Sequence, residues 1–459
     1  MPTGMRTIDV TASIERRRFD GAYYGLIALS WLITAFDGLD GLMIGFTLPY
    51  MRDELHLTTV MMGYVAAAGN AGTAAGGFLS PLLADRVGRR PTLIAMALMF
   101  GMLTSATALA GSYEALVVMR FVNGLALGGL LPLAWALNIE FVPKRLRATV
   151  VTIIMVGYSV GSAMAGPLTN ALAPGHGWQG VYLAGGLGTL VCSVALWIWL
   201  PESIRFLVLN GRRPDAVART LHQLDPRTDA TAEDRFVLSD EVKTAGKVPI
   251  KELFAGPLRI VTPLLWLGFF MSSLGVFFTS SFGPTVLESI GFPRPTAALV
   301  KSSVSLVGAG LGLLLMRFTD RKGPIALAVY PAVAVPVLIV VGYGLLSGDT
   351  FLAMVLLGSG LVMGGHFGVQ SIAGVYYPSA VRATGGGFAS GVAKVGAILG
   401  PIVGAAVLSS HLPVVRTYAL LAICPAALCL CALGIARALR RAEAAGNRAR
   451  LRRSAARAA

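Results

Sequence analysis

Two carboxylates stand inside an apolar run: Asp37 and Asp40 in the stretch AFDGLDGLMIGFTLP, residues 35 to 49. The whole run, Tyr24 to Tyr50, is long enough to cross a bilayer as a helix at ~1.5 Å per residue. Three residues apart, the two acids share one broad face of that helix. An acid at mid-membrane costs roughly 2.5 kcal/mol or more unless it is protonated or paired. The pair therefore marks either a structural ion pair, with a kink aided by Gly38 and Gly41, or a proton or substrate site lining a water-filled cavity. Three bases also lie within apolar runs: Arg120, Lys301 and Lys394. Arg120 falls about 9 Å and Asp40 about 15 Å from the outer ends of their spans, so tilt and long side chains let them meet. Making or breaking such a pair would bind or release a proton. Lys301, close to a span end, is expected to snorkel and fix topology. Lys394, near the midplane, needs a partner: an acid, or the carboxylate of a bound anion.

The elements that hold these residues must be membrane helices. Hydrophobic residues make up 55% of the 459 and charged residues 13%, about half the charged share of a soluble domain. Boundaries read from hydropathy give twelve spans: 24–50, 59–84, 91–110, 114–140, 147–171, 178–200, 258–281, 297–317, 323–346, 349–376, 382–410 and 413–438. They form an all-α protein of two six-helix bundles, 24–200 and 258–438. A cytoplasmic tail (1–23), a cytoplasmic central loop (201–257) and a basic cytoplasmic tail (439–459) complete the chain. Cys192, Cys424, Cys429 and Cys431 sit in apolar runs without metal-ligand spacing and read as packing residues.

The net charge of +15 raises nucleic acid as a partner, and the placement of the charge argues against it. Among the 38 lysines and arginines, Arg52, Arg294 and Arg416 fall in loops of one side and Arg120, Lys301 and Lys394 within spans; the rest gather on the other side. That asymmetry makes both termini cytoplasmic in a multi-pass inner-membrane protein. The Arg-rich end after Arg437 suits anionic headgroups.

The two halves repeat. Asp85-Arg86-Val87-Gly88 recurs as Asp320-Arg321-Lys322-Gly323, and Pro143 to Thr149 as Pro378 to Thr384, both 235 residues apart; Gly166-Pro167 recurs at Gly400-Pro401, 234 residues on. Duplication of a six-helix unit is how transporters build a central site between halves that rock about it. In the first copy, Asp85 with Arg86, Arg89 and Arg90 offers opposite charges able to latch helix ends, with Gly88 supplying the turn. Glu140 with Arg145 and Arg147, and Glu202 with Arg205, extend that charge network toward turnover rather than substrate choice.

GGFLSPLLADRVGRRP (76–91), its echo RFTDRKG (317–323) and LPESIRFLVLNGRRPDA (200–216) resemble the major facilitator superfamily. DGLDGLMIGF, RFVNGLALGGLLPLAWALNIEFVPKRLRAT and YYPSAVRATGGGFASGVAKVGAILGP are similar to its aromatic acid:proton symporter family. The resemblance covers almost the whole chain. It implies a proton-coupled carrier importing an aromatic carboxylate by alternating access, with Asp37 or Asp40 and Arg120 as the coupling site. A gating role for Asp85, Arg86, Gly88, Arg89, Arg90, Glu140, Arg145, Arg147, Asp320 and Arg321 follows from it too. Where the family pattern has Arg in the eleventh span, this chain has Lys394, which keeps the charge and loses the bidentate fork.

Lys394, His366, Gln370, Phe269, Phe270 and Phe277 are the expected substrate contacts, with Phe278 and Phe367 as further aromatic neighbours. Partners are a small organic anion, protons and the bilayer, on a carrier expected to be monomeric and without a cofactor other than the coupling proton. A membrane enzyme and a primary pump are disfavoured, since the chain has no paired His ligands, nucleophile elbow or phosphate-binding loop. The alternatives that stay open are a proton-coupled drug or metabolite exporter, suggested by the GP pattern in the fifth span, and a sugar-porter-like symporter.

Overall fold

A computed structural model describes residues 6–16, 21–211, 213–224, 230–239, 250–377 and 381–458. Its elements are β1 (Thr7–Asp9), α1 (Val10–Arg16), α2 (Gly21–Leu55), α3 (Thr59–Val87), α4 (Arg89–Thr107), α5 (Tyr113–Glu140), α6 (Arg147–Trp199), α7 (Ile204–Leu209), α8 (Pro214–Leu224) and β2 (Arg235–Val237), followed by α9 (Leu258–Ser289), α10 (Arg294–Lys322), α11 (Val329–Gly342), α12 (Gly348–Tyr376), α13 (Arg382–Leu408), α14 (Thr417–Leu421) and α15 (Ile423–Ala458). Among the described residues, nine helical stretches are long and apolar enough to cross a membrane. One of them, Lys144–Trp199, runs for 56 residues, the length of two crossings. It bends at Gly177, whose φ of 65° belongs to the left-handed region that favours glycine. With that stretch counted twice there are ten such lengths, against the twelve that hydropathy predicts; α3 and α4 are long helices that lie where the other two are expected.

Two compact units are present. The first contains Met1–Met43 and Ala68–Thr244, and the second Ile44–Ala67 and Ala245–Ala459. The outer end of α2 and the start of α3 thus belong with the later helices. Glycines show why: a Cβ at Gly45 would collide with the Ser280 carbonyl on α9, and one at Gly63 with Ala405 and the Pro401 carbonyl on α13. Within the second unit α9 lies along α13, where Gly396 and Gly400 admit the backbones of Phe270 and Leu274.

In the first unit the same device joins α3 to α5. Gly72 and Gly76 of α3 meet the carbonyls of Phe121 and Leu125, while Gly124 and Gly128 of α5 meet Gly69 and Thr73. Each pair sits four residues apart, the small-residue spacing that lets membrane helices approach to backbone contact.

The polar segments outside the membrane are more ordered than their sequence suggests. β1 pairs in parallel with β2 in the register Thr7 with Arg235 and Asp9 with Val237. Asp9 accepts hydrogen bonds from the backbone N–H of Thr11 (2.9 Å) and of Ser239 (3.3 Å). Burial pushes its carboxyl up, and these hydrogen bonds outweigh that push, leaving it below the usual carboxylate range. α1 buries Val10 and Ile14, and α8 buries Val217 and Leu221, in a core shared with Leu93, Leu137, Ile154, Leu196 and Ile204. Amphipathic helices thereby cover one end of α4, α5 and α6.

The α3–α5 crossing has no room for a side chain. Gly124→Val is expected to lower stability by on the order of 3 kcal/mol through overpacking, read as a fall in the thermal midpoint of the detergent-solubilised protein. A conservative change at an exposed position, Val118→Ala, should leave the midpoint unchanged.

Candidate functional site

In the first unit α2, α3, α5 and α6 bring the intramembrane charges together. Asp40 and Arg120 are 2% and 5% exposed. The Arg120 Nη1 donates to both carboxylate oxygens of Asp40 at 3.1 Å, a single nitrogen shared between two oxygens rather than a two-nitrogen fork. Gly69 makes room for the guanidinium, since a Cβ there would stand 3.4 Å from Nε and Nη2. Asp37, 4% exposed, takes no part in this pair and forms no ion pair among the described residues. The sequence places both acids on one face; the structure gives them different surroundings.

Tight helix packing fixes that difference. Gly38 lies against the backbone of Tyr158 on α6, and a Cβ at Gly41 would be 3.1 Å from the Tyr158 hydroxyl. From the other side Gly161 lies against the Ala35 carbonyl, and Ser162 Oγ donates to the Gly38 carbonyl at 2.9 Å. Gly38 and Gly41 are therefore contact points for α6, and both acids are held at a close α2–α6 crossing. Further bonds anchor α5: Asn138 Nδ2 donates to Ser30 Oγ of α2 at 2.7 Å, and Asn123 Nδ2 to Thr104 Oγ1 of α4 at 3.2 Å.

Some of the expected gating residues form a network at one end of the same unit, with partners that differ from those expected. Glu140 pairs with Arg89 and accepts a hydrogen bond from Ser203 Oγ. It does not pair with Arg145, which is exposed, or with Arg147, whose Nε donates to the Val142 carbonyl at 3.3 Å. The backbone N–H of Arg90 donates to Glu202 Oε1 at 3.1 Å, and its Nη2 to the Trp197 carbonyl at 2.7 Å. Gly88 has a φ of 121°, and a Cβ there would stand 2.6 Å from Glu202 Oε2, so the turn and the Glu202 contact both require glycine. Asp85 and Arg86 are exposed, and the ion-pair and hydrogen-bond contacts of this turn are made by Arg89 and Arg90. The side chains of Asp320 and Arg321 lie outside the described residues.

Among the substrate contacts expected in the second unit, His366 is buried, and its Nδ1 lies 3.2 Å from Ser272 Oγ on α9. Its Nε2 lies 3.5 Å from Nε2 of Gln370, which is exposed. Phe270 and Phe277 are half-buried on α9, whereas Phe269 is 1% exposed and belongs to the packed interior. Lys394 is half-buried on α13, two residues from Gly396 where that helix meets Phe270. His366, Gln370 and Ser272 come together. Ser272 is hidden in the sequence because the hydroxyls of this apolar run, Ser272, Ser273, Thr279, Ser280 and Ser281, carry no signal that singles one out.

Two further features were also missed. Lys301 does not reach the surface: it is 5% exposed. At the outer end of α2, Arg294 Nη2 lies 2.5 Å from Asp53 Oδ2 and 2.8 Å from Glu288 Oε1, and its guanidinium stands over the Tyr50 ring at 4.9 Å. Arg52 completes the cluster at 3.0 Å from Asp53.

Comparisons with known proteins follow this geometry. A family model described as the Major Facilitator Superfamily matches residues 30–401. The gallate transporter of Pseudomonas putida is 34% identical over 434 residues, covering 94% of this chain and 96% of the relative. The 4-hydroxybenzoate transporter PcaK of the same organism is 31% identical, covering 88% and 90%. Among solved structures, the xylose transporter XylE from E. coli aligns with a TM-score of 0.69 at 16% identity, covering 90% of this chain and 97% of that one. A bacterial homologue of the human lysosomal transporter Spinster aligns with a TM-score of 0.71 at 17% identity, covering 92% and 98%. At these identities the structural likeness concerns the fold alone.

Breaking the buried pair should be far costlier than removing it. Arg120→Met and Asp40→Asn are each expected to destabilise by about 3–5 kcal/mol, and the double variant by much less, because each single change leaves one charge uncompensated. Asp37→Asn should leave stability unchanged. A double-mutant cycle on thermal midpoints in detergent checks all three.

Proposed function

The chain belongs to the Major Facilitator Superfamily, and on that footing we propose that it imports an aromatic carboxylate together with one or more protons by alternating access. The observation that carries the reading is the division of labour between the two acids of α2. Asp40 is neutralised by Arg120, and Asp37 stands one turn away without an ion pair. An acid in an ion pair must break it before taking a proton; an acid outside one need not. Asp37 is therefore the proton carrier in this reading, and the Asp40–Arg120 pair the fixed charge beside which it works.

Relatives named for gallate and 4-hydroxybenzoate transport support a small aromatic acid as cargo. The charge balance within the membrane agrees. Between residues 258 and 438 the acids are Glu288, Asp320 and Asp349, all at helix ends, whereas Lys301 and Lys394 stand within the helices. The second half of the transporter thus offers intramembrane cations without intramembrane carboxylates, which suits an anionic cargo. Lys394 takes the carboxylate, His366 and Gln370 hydrogen-bond the ring substituents, and Phe270 and Phe277 contact the ring, with Phe269 packed behind them.

The Arg89–Glu140–Ser203 and Arg90–Glu202 contacts act as the cytoplasmic latch, tying the α3–α4 turn to the end of α5 and the start of α7. The protein resides in the inner membrane with both termini cytoplasmic and works as a monomer. Its basic loops then face the side where positive charge is retained during insertion.

Uptake of labelled benzoate, 4-hydroxybenzoate and gallate into proteoliposomes, under an imposed inward proton gradient, tests the reading. The wild type should accumulate at least one of the three. Asp37→Asn should lose gradient-driven accumulation yet still exchange substrate across the membrane, whereas Asp40→Asn should lose both. Accumulation of none of these acids, or accumulation driven only by the opposite gradient, would overturn an importer of this class.

A further inference from the structure

Lys301 is a cation sealed inside the second unit with no counter-charge among the described residues. It stands seven residues into α10, about 10 Å along the helix at ~1.5 Å per residue, and is 5% exposed. Its side chain lies where α9, α10 and α12 meet. Its nearest recorded hydrogen-bond acceptor is Ser359 Oγ of α12, at 3.5 Å, the outer limit for such a bond. On the α9 side the lysine chain fills the space left by Gly283: a Cβ there would be 2.8 Å from Nζ and closer still to Cε. The ammonium has three donors, and no carboxylate of the described residues lies within ion-pair distance of it.

Such an arrangement is expensive. A charged side chain away from the bilayer surface needs a partner, and a lysine that only anchored topology would extend to the headgroups. Instead α9 supplies a glycine that holds the chain inward, and α10 and α12 supply hydroxyls: Ser305, one turn from Lys301, is buried like Ser359. A cation with nearby hydroxyls, enclosed in apolar helices, has the chemistry to receive one organic carboxylate.

We propose that Lys301 is a second carboxylate-binding subsite for the transported acid, separate from Lys394 and nearer the outer face. The subsite rests on the reading that the cargo is a carboxylate. It is closed in this structure. An anion reaches it when the outer halves of α9, α10 and α12 part from one another, a rearrangement within the second unit that adds to the rocking of one bundle against the other. Capture at Lys301 brings the acid inward from the outer face before it meets the deeper residues, and exchanges the uncompensated ammonium for an ion pair.

The test uses the full-length protein in proteoliposomes, measuring exchange of labelled 4-hydroxybenzoate and gallate with equal pH on both sides. Lys301→Met should raise the half-saturating concentration by at least about thirtyfold, the loss expected when one partner of a buried ion pair is truncated. The same variant should melt at a higher temperature, because an apolar side chain of similar volume replaces an uncompensated charge. A purely structural lysine would give the opposite sign in the melt. Lys301→Arg keeps the charge and should retain most of the affinity. Gly283→Ala keeps the lysine but displaces its chain, and should weaken binding in a protein whose charges are unchanged. Unaltered half-saturation in both Lys301→Met and Gly283→Ala overturns the subsite and leaves the aromatic-acid reading standing. Failure of the wild type to exchange either acid overturns both together.

Discussion

A carboxylate and a guanidinium enclosed by apolar helices tolerate each other only at close range. The Asp40–Arg120 pair sets that condition for the first unit. The pair must lie far from water, since its members are almost wholly buried, and it must stay intact, since either charge alone would cost several kcal/mol in such surroundings. The neighbouring helices accommodate it with small residues. Gly69 leaves space for the guanidinium, Gly38 and Gly41 bring α6 against the acidic face of α2, and the Gly72–Gly76 and Gly124–Gly128 pairs draw α3 and α5 into backbone contact. A bulkier set of helices would hold the charges too far apart to pair.

The cytoplasmic network follows different physics. Glu140 is buried and Arg89 partly so, and their pairing depends on hydrogen bonds from segments that follow the sixth crossing. Ser203 serves both sides: its hydroxyl donates to Glu140 and accepts from the Phe206 N–H at the start of α7 at 3.0 Å. Glu202 likewise accepts from the backbone of Arg90 and of Ser203. The network is a three-way junction of the α3–α4 turn, the end of α5 and the start of α7. Its acidic members are held by backbone geometry as well as by charge, which makes them resistant to salt in a way that exposed ion pairs are not.

The sequence exposed those features whose physics is local. Membrane helices follow from apolar runs, and Asp40 with Arg120 from charge at a depth where charge is costly. Gly88 follows from a turn between two long helices. The features that stayed hidden depend on three-dimensional neighbours. Nothing in the spacing of Asp37 and Asp40 says which of them faces Arg120, because three residues on a helix separate them by too small an angle to choose. Lys301 was assigned a surface role from its distance to a span end; Gly283 on another helix overrides that distance by offering the chain an inward path. Glu140 was matched with Arg145 and Arg147, its neighbours along the chain, whereas its partner Arg89 arrives from a different turn. Strands of three residues separated by six crossings, such as β1 and β2, give no periodic signal at all.

The pairing of β1 with β2 also imposes an order on biogenesis. Thr7 leaves the ribosome long before its partner Arg235, which follows only after the whole first unit's membrane portion has been made. At ordinary synthesis rates that interval is roughly ten to fifty seconds, during which the N-terminal strand and the apolar face of α1 have no partner. Closing the strand pair therefore requires an even number of crossings between its strands, because an odd number would leave Arg235 across the bilayer from Thr7. The small sheet acts as a parity check on insertion, completed before the helices from α9 onward begin to emerge.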